Sequence, residues 1–325
     1  MAVVFLPCFL PALASEDHAL FATYDQNPFI QIYSLPSPAE YPAPAARDWT
    51  WQFIFDLASN AISEDASNGE RITLDGETYR TSVILGYRFS ARLTAAVNLP
   101  LVAHSGGFLD GFVRDWHSTF GLSNTRRDAF ENNQLDYAYV GVDGEGFALQ
   151  ERGRGLGDIR LTADWHVRPG APDAAGLVLR SGLKLPTGSS SALRGSGSTD
   201  FSLQLLSTDQ HSLSAWNMTL AWMLGGLWLG ESEVLDELRR DLVAIGSIGI
   251  SRPIWRGLSV RLQLDGHSAF YDSELRPLGA SAVQVAFGGS VQLARAGRID
   301  FAIIENLVTD TTPDLGIHLA WRAPL

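Results

Sequence analysis

The chain has 325 residues, 46% of them hydrophobic and 18% charged, with a mean hydropathy near zero, a balance that excludes a disordered tail. Beyond the N-terminus no stretch reaches the roughly 18 apolar residues of a spanning helix, which excludes a helical transporter. A formal charge of −12 excludes nucleic acid as a partner, because phosphate binding needs a clustered basic surface.

Met1 to Ala14 form an apolar run closed by Ala12 and Ala14 in the small-x-small arrangement of a signal-peptidase site, so the expectation is a signal peptide over 1–14 cleaved before Ser15. The run lacks a basic residue at its start. Acylation at Cys8 is disfavoured because Phe5-Leu6-Pro7 lacks the small residues that precede a lipoprotein cysteine. Cleavage removes Cys8, the only cysteine, and leaves no thiol for a disulfide or a metal. An acidic, cysteine-free exported chain suits the envelope of a Gram-negative bacterium.

Residues 15–48 carry Pro28, Pro36, Pro38, Pro42 and Pro44 among polar residues and read as an N-terminal arm with little regular structure, available as a plug. From Trp49 the pattern alternates with period two. Trp49, Trp51, Phe53, Phe55 and Leu57 point one way, and Thr50, Gln52, Asp56 and Ala58 the other. Tyr79 to Phe89 repeat the pattern, and further segments begin near Leu93, Leu156, Gly176, Thr199, Leu213, Leu242, Leu258, Ala280, Ile299 and Asp314. Together they give twelve strands, an even number. Brief links near 90–92, 168–175, 207–210, 252–257 and 294–298 alternate with longer ones at 59–76, 104–155, 187–198, 225–241, 267–279 and 307–313. Short periplasmic turns facing long external loops mark an outer-membrane barrel.

Aromatic residues support this assignment. Trp49, Tyr87, Phe89, Trp165, Trp255 and Trp321 fall at the periplasmic strand ends, and Tyr79, Phe201 and Trp222 at the opposite rim, where amphipathic rings meet the bilayer interface. Backbone groups facing hydrocarbon must all be paired, so the first and last strands have to close. The expected fold is an all-β, antiparallel up-and-down transmembrane barrel over 49–325, with short helices in its external loops.

An apolar exterior sends the alternate residues inward. The lumen then holds Asp56, Arg80, Arg88, Asp158, Arg160, Asp164, His166, Arg180, Lys184, Arg261, Asp265, Asp300, His318 and Arg322, in which basic groups outnumber acidic ones. Two readings stand side by side: a mutually neutralising network filling a narrow barrel, or an anion-tolerant path whose selectivity Arg80, Arg180, Lys184 and Arg261 set. Twelve strands lie between the filled barrels of about eight and the open ones of 16 to 18.

In the longest loop Leu109, Phe112, Val113, Trp116 and Phe120 have helical spacing, which predicts an amphipathic helix that buries its apolar face on the mouth, on lipid or on another loop; the mouth is favoured, making the helix a lid. A second short helix is expected from Ser232 to Arg240, with Ser232 as N-cap. Gly153 to Gly157 lack dinucleotide-loop spacing, and the seven histidines show no paired metal spacing. His211-Ser212 and His267-Ser268 are adjacent in sequence and so point to opposite faces of a strand, unsuited to a hydrolase dyad. The chain implies no cofactor, no metal and no catalytic residue.

Gly182-Leu183-Lys184-Leu185-Pro186-Thr187-Gly188, followed by Gly195-Ser196-Gly197-Ser198-Thr199-Asp200, resembles the strand end and loop of outer-membrane transporters associated with phenol meta-cleavage pathways. With Asn27-Pro28-Phe29, Gln31-Ile32-Tyr33 and the Asp110 to Leu122 segment, the chain resembles a family of uncharacterised proteobacterial exported proteins of unknown function. The resemblance implies a barrel and transfers no catalytic residue. Pro186 and Gly188 also fit an architectural strand end and turn. The expected function is a channel or uptake porin for small, anionic or aromatic molecules; the alternative is a plugged structural barrel or a lipid-modifying hydrolase. The expected partners are outer-membrane lipid and lipopolysaccharide, the barrel-insertion machinery and an unidentified solute.

Overall fold

The computed structural model describes residues 20–39, 47–121, 130–171, 174–293, 296–308 and 311–324. The expected signal peptide lies outside them. Fifteen strands form one sheet: β1 (Trp49–Asp65), β2 (Arg71–Ser90), β3 (Leu93–Ser105), β4 (Asp136–Val140), β5 (Gly146–Leu149), β6 (Gly153–Leu156), β7 (Ile159–Arg168), β8 (Leu177–Leu185), β9 (Asp200–Asp209), β10 (Thr219–Trp228), β11 (Leu242–Trp255), β12 (Leu258–His267), β13 (Ala282–Gln292), β14 (Arg298–Asn306) and β15 (Leu315–Pro324). Twelve of them close into an antiparallel barrel, sealed where β1 meets β15 with Phe53 opposite Trp321 and Asp56 opposite His318. No helix among the described residues is long and apolar enough to cross a membrane.

The alternation read from the sequence is the wall itself. Mid-strand Leu224 and Phe287 face outward and are each 62% exposed, whereas the inward Arg180 and Lys184 are fully buried. An outer surface covered by such side chains belongs against acyl chains. At the periplasmic rim Trp51 and Trp321 meet edge to face at 4.6 Å, and Trp49 packs on Tyr87 at 4.9 Å. Trp222 departs from its expected place: it pairs opposite Ser207, in the periplasmic half, and Trp228 is the residue that joins Phe201 at the outer rim.

Two strands are longer than their hydropathy suggested. β1 and β2 run on as a hairpin with a turn at only 66–70, replacing the long loop expected over 59–76. Above the bilayer the outward positions Ser63 and Asp65 are polar, as is Glu64 between them, so the alternation fades although the pairing continues. β4 and β5 form a second hairpin that adds to the upper part of β2.

Pro100 in β3 has no N–H to donate, and there the facing strand breaks into β6 and β7. The register slips by one residue between Leu101↔Leu156 and Asn98↔Arg160. The resulting bulge turns Asp158 inward. The stretch expected as a helix over Ser232–Arg240 instead has Leu235 in the left-handed region and a 3-10 turn at Asp236–Leu238. Ser232 Oγ accepts from Val234 N, which caps a turn and lets Val234 bury itself under the mouth. Likewise 213–218 form a periplasmic turn ahead of β10.

Candidate functional site

Residues 20–39 lie inside the barrel, with Phe21, Phe29 and Tyr33 fully buried. Their path is set by the wall they climb. Phe21 N donates to Gln263 Oε1 at 2.6 Å, Thr23 Oγ1 to Asp265 Oδ2 at 2.7 Å, and Asp25 Oδ2 meets His267 Nε2 at 2.9 Å. Alternate arm residues thus match alternate inward positions of β12, as two extended chains running side by side must.

Below the mouth the segment turns through the one-turn helix α1 (Pro28–Gln31). Asn27 caps it by accepting from Phe29 N at 3.0 Å, with Pro28 in its first turn. Tyr271 Oη donates to Phe29 O at 2.8 Å, and Asn27 Nδ2 to Pro277 O at 2.9 Å. The chain then descends along β7 and β8, and here its carbonyls are the acceptors. Arg160 donates to Ser34 O and Tyr33 O at 2.8 and 3.1 Å, and Arg180 to Ser37 O and Ala39 O at 3.0 Å each.

Of the arginines and lysine expected in the lumen, Arg80, Arg160, Arg180, Lys184, Arg261 and Arg322 are buried there, but engaged. Arg180 forks onto Asp164 at 2.6 and 2.7 Å. Lys184 Nζ lies 2.9 Å from Asp158 and 2.7 Å from Asp200, and also donates to Ser196 Oγ. At the periplasmic end Asp300 receives Arg298 at 2.8 Å, with Arg261 and Arg322 at 3.4 and 3.5 Å. Asp56 pairs with His318 Nδ1 at 2.6 Å, and Arg80 Nη2 donates to Ser34 Oγ at 2.7 Å. Arg88 leaves the lumen for the periplasmic turn, bonding Ser90 O and Ala91 O, and His166 is half-buried beside Thr94. Such pairing is what burial of charge demands.

The Lys-Leu-Pro-Thr-Gly and Gly-Ser-Gly-Ser-Thr-Asp stretches have a structural role visible in their contacts. Asp158 accepts from Gly188 N at 2.8 Å and Ser196 N at 3.1 Å, drawing the loop between β8 and β9 into the mouth. A Cβ on Gly195 would stand 2.2 Å from Asp158 Oδ1, so only glycine fits. Leu193, at φ 48°, turns its carbonyl to Gln31 Nε2 at 2.7 Å.

The lid expected of Leu109, Phe112, Trp116 and Phe120 is corrected by the structure. Helix α2 (Asp110–Phe120) lies on the outside of the barrel, where Leu109 and Val113 are buried against the outward residues Leu57 and Leu315. Trp116 Nε1 donates to Glu305 Oε1 at 2.7 Å, Phe112 is 49% exposed, and the side chain of Phe120 lies outside the described residues. The cause is Glu77, which points outward from β2 and accepts from Phe108 N and Leu109 N at 2.8 and 2.6 Å, anchoring the start of the helix there. Other loops close the mouth: Leu193, Val234, Phe270, Tyr271 and Leu278 pack with Phe29 and Tyr33 in one apolar cluster.

Sequence reasoning missed the residues that fill the lumen, Phe21, Tyr24, Tyr33, Ser34 and Ser37, because a Pro-rich arm carries no periodicity. It also missed Glu77 and Glu305, acids on an outward face. The crevice between Thr23, Asp25 and Pro38 on one side and Ser247 and Gln284 on the other has a volume of about 20 Å³, room for about one water. Outside the mouth, Glu70, Asp143, Glu145, Asp236, Glu237, Asp272 and Glu274 line an acidic cup of about 730 Å³. Glu70 joins three loops there, accepting from Asn68 Nδ2, Tyr139 Oη, Ser273 Oγ and Glu274 N. Burial raises its pKa, but these four bonds outweigh burial and hold it below the usual glutamate value. The hydrolase alternative finds Ser268 Oγ accepting from Ala244 N, and both ring nitrogens of His267 engaged elsewhere, by Asp25 Oδ2 and by the backbone carbonyl of Ser268.

Among solved structures the chain is similar to the COG4313 outer membrane channel from Pseudomonas putida F1, with a TM-score of 0.57 and 13% identity over 90% of this chain and 100% of that one. It also matches the P. putida toluene transporter TodX, with a TM-score of 0.41 and 12% identity over 87% of this chain and 91% of that one. The Ralstonia pickettii toluene transporter TbuX matches with a TM-score of 0.39 and 9% identity, over 86% and 90% of the two chains. No curated protein matches. The fold is that of outer-membrane β-barrels. The family described as "Protein of unknown function (DUF3187)" matches residues 1–323, and the chain belongs to that family.

Proposed function

We propose that this protein is an outer-membrane channel for small molecules, aromatic ones among them, and that residues 20–39 are its plug. One observation carries the reading: the barrel closes without the arm, and the arm is attached to a polar lumen by side-chain bonds rather than by a backbone ladder. Bonds of that kind exchange for water or solute singly, and each contributes on the order of 1 kcal/mol. Similarity to a solved outer membrane channel supports the transport part, and resemblance to phenol-pathway transporters supports the aromatic part. The cell address and the signal peptide over 1–14 belong to the same proposal, as do contact with lipopolysaccharide and insertion by the barrel machinery.

A second reading, a permanently filled structural barrel, draws on the paired lumen charges, Arg180 with Asp164 and Lys184 with Asp158 and Asp200. Solute uptake into proteoliposomes separates the two. The channel reading expects uptake of small aromatic acids by the full chain and faster uptake by a chain lacking 20–39; equal impermeability of both favours the filled barrel.

A further inference from the structure

Three lumen cations each carry an aromatic ring of the arm. Arg261 Cζ stands 5.1 Å from the Phe21 ring centroid, Arg80 Cζ 5.5 Å from that of Tyr24, and Lys184 Nζ 5.6 Å from that of Tyr33. All three lie within the range at which a cation is attracted by a ring face. The arm residues 20–39 hold three tyrosines and phenylalanines besides Phe29, and every one of those three rests on a wall cation. Chance hydrophobic filling of a barrel has no reason to place rings this way, since an apolar side chain of equal volume would fill the space equally well.

Two of the cations also hold an oxygen from the same segment. Lys184 faces Ile32 O at 3.5 Å, next in sequence to Tyr33, and Arg80 donates to Ser34 Oγ at 2.7 Å. Arg80 Nε finds no hydrogen-bond partner among the described residues, although the residue is only 1% exposed, so this site retains a donor to give. Each of these two sites thus takes a ring together with a nearby oxygen acceptor.

We propose that Arg80, Lys184 and Arg261 are the specificity-determining seats of the lumen for the rings of aromatic solutes, that Arg80 also takes an oxygen acceptor of the solute, and that Phe21, Tyr24 and Tyr33 occupy these seats as stand-ins for the solute. This rests on the channel reading. It adds that solute and plug compete for the same cations, so that the cargo itself loosens the arm. An alicyclic solute of equal size and charge has no ring face to offer and does not compete.

The test is hydrogen exchange of amides 20–39 in the full chain, reconstituted in lipid, with benzoate or cyclohexanecarboxylate added at equal concentration. Benzoate is expected to speed exchange around Tyr24 by about threefold or more over cyclohexanecarboxylate. In Arg80→Met that difference disappears at Tyr24 and persists at Tyr33. Tyr24→Leu, which leaves every wall residue in place, raises exchange around position 24 without benzoate. Equal effects of the two acids, or an unchanged benzoate effect at Tyr24 in Arg80→Met, overturn the proposal. Flux is measured separately: equal exchange with flux of both acids rejects the seats and keeps the channel, whereas benzoate-specific release without flux keeps the seats and rejects the channel.

Discussion

Arg180 grips Asp164 at two points, Nε 2.6 Å from Oδ1 and Nη2 2.7 Å from Oδ2, and turns Nη1 onto the carbonyls of Ser37 and Ala39. One guanidinium thus ties β7 to β8 and both to the arm. Its charge is spent within the protein, and a surplus available to a passing anion has to come from elsewhere.

Asp164→Ala therefore leaves a buried cation uncompensated and is expected to destabilise the barrel by about 3–5 kcal/mol. Arg180→Met with Asp164→Leu removes both charges together and costs less, because no unpaired ion remains. Arg180→Glu sets two carboxylates side by side and is expected to destabilise without creating cation selectivity. Urea unfolding of the detergent-solubilised variants, followed by tryptophan fluorescence, checks the order.

The seat of α2 gives a second prediction. Gly107 has φ +75°, and a Cβ there would lie 1.8 Å from Glu77 Cδ. Gly107→Ala therefore clashes with the anchor and meets an unfavourable backbone conformation as well. Both Gly107→Ala and Glu77→Ala are expected to free α2 from the outer wall at a cost of about 1–3 kcal/mol, leaving the barrel closed. Limited proteolysis should then cut between residues 106 and 135 while heat-modifiable migration in gels stays unchanged.

Acid should loosen the external loops before the barrel. Glu70 has its pKa below the unfolded value of 4.5, so its ionised form favours the assembled loops. That contribution is complete above pH 4.5 and is lost as pH falls through the lowered native value. Exchange of amides in β5, corrected for the intrinsic pH dependence, is expected to rise over that interval, and Glu70→Gln should flatten the rise while raising exchange at neutral pH. An unaltered acid profile in Glu70→Gln would show that another group controls these loops.

The barrel was legible because lipid on one face and polar atoms on the other impose a period of two on strands such as Ile159–Val167 and Leu258–Leu264. Where that contrast ends, so does the signal. Asn60 to Glu64 continue β1 above the bilayer unseen, and the Ser232 turn imitates a helix start because a serine that caps a turn looks like one that caps a helix. The inward residues were legible by phase, Arg80 and Lys184 among them, but their partners were not. Asp200 stands directly across from Lys184 in the β8–β9 pair but at the first residue of its strand, where the alternation only begins, and Ser37 reaches Arg180 from an arm whose course no periodicity encodes. The apolar stripe of α2 was visible in Leu109 and Val113. Which side of the wall it covers depended on Glu77, an acid on an outward face that the alternation alone assigns to lipid.

Planar-bilayer conductance of the purified full chain and of a chain lacking residues 20–39 tests the central claim most directly. The account predicts brief, infrequent openings for the full chain and a steady conductance for the shortened one, with its barrel still heat-modifiable. A correctly folded shortened chain that conducts no more than the full chain would contradict it.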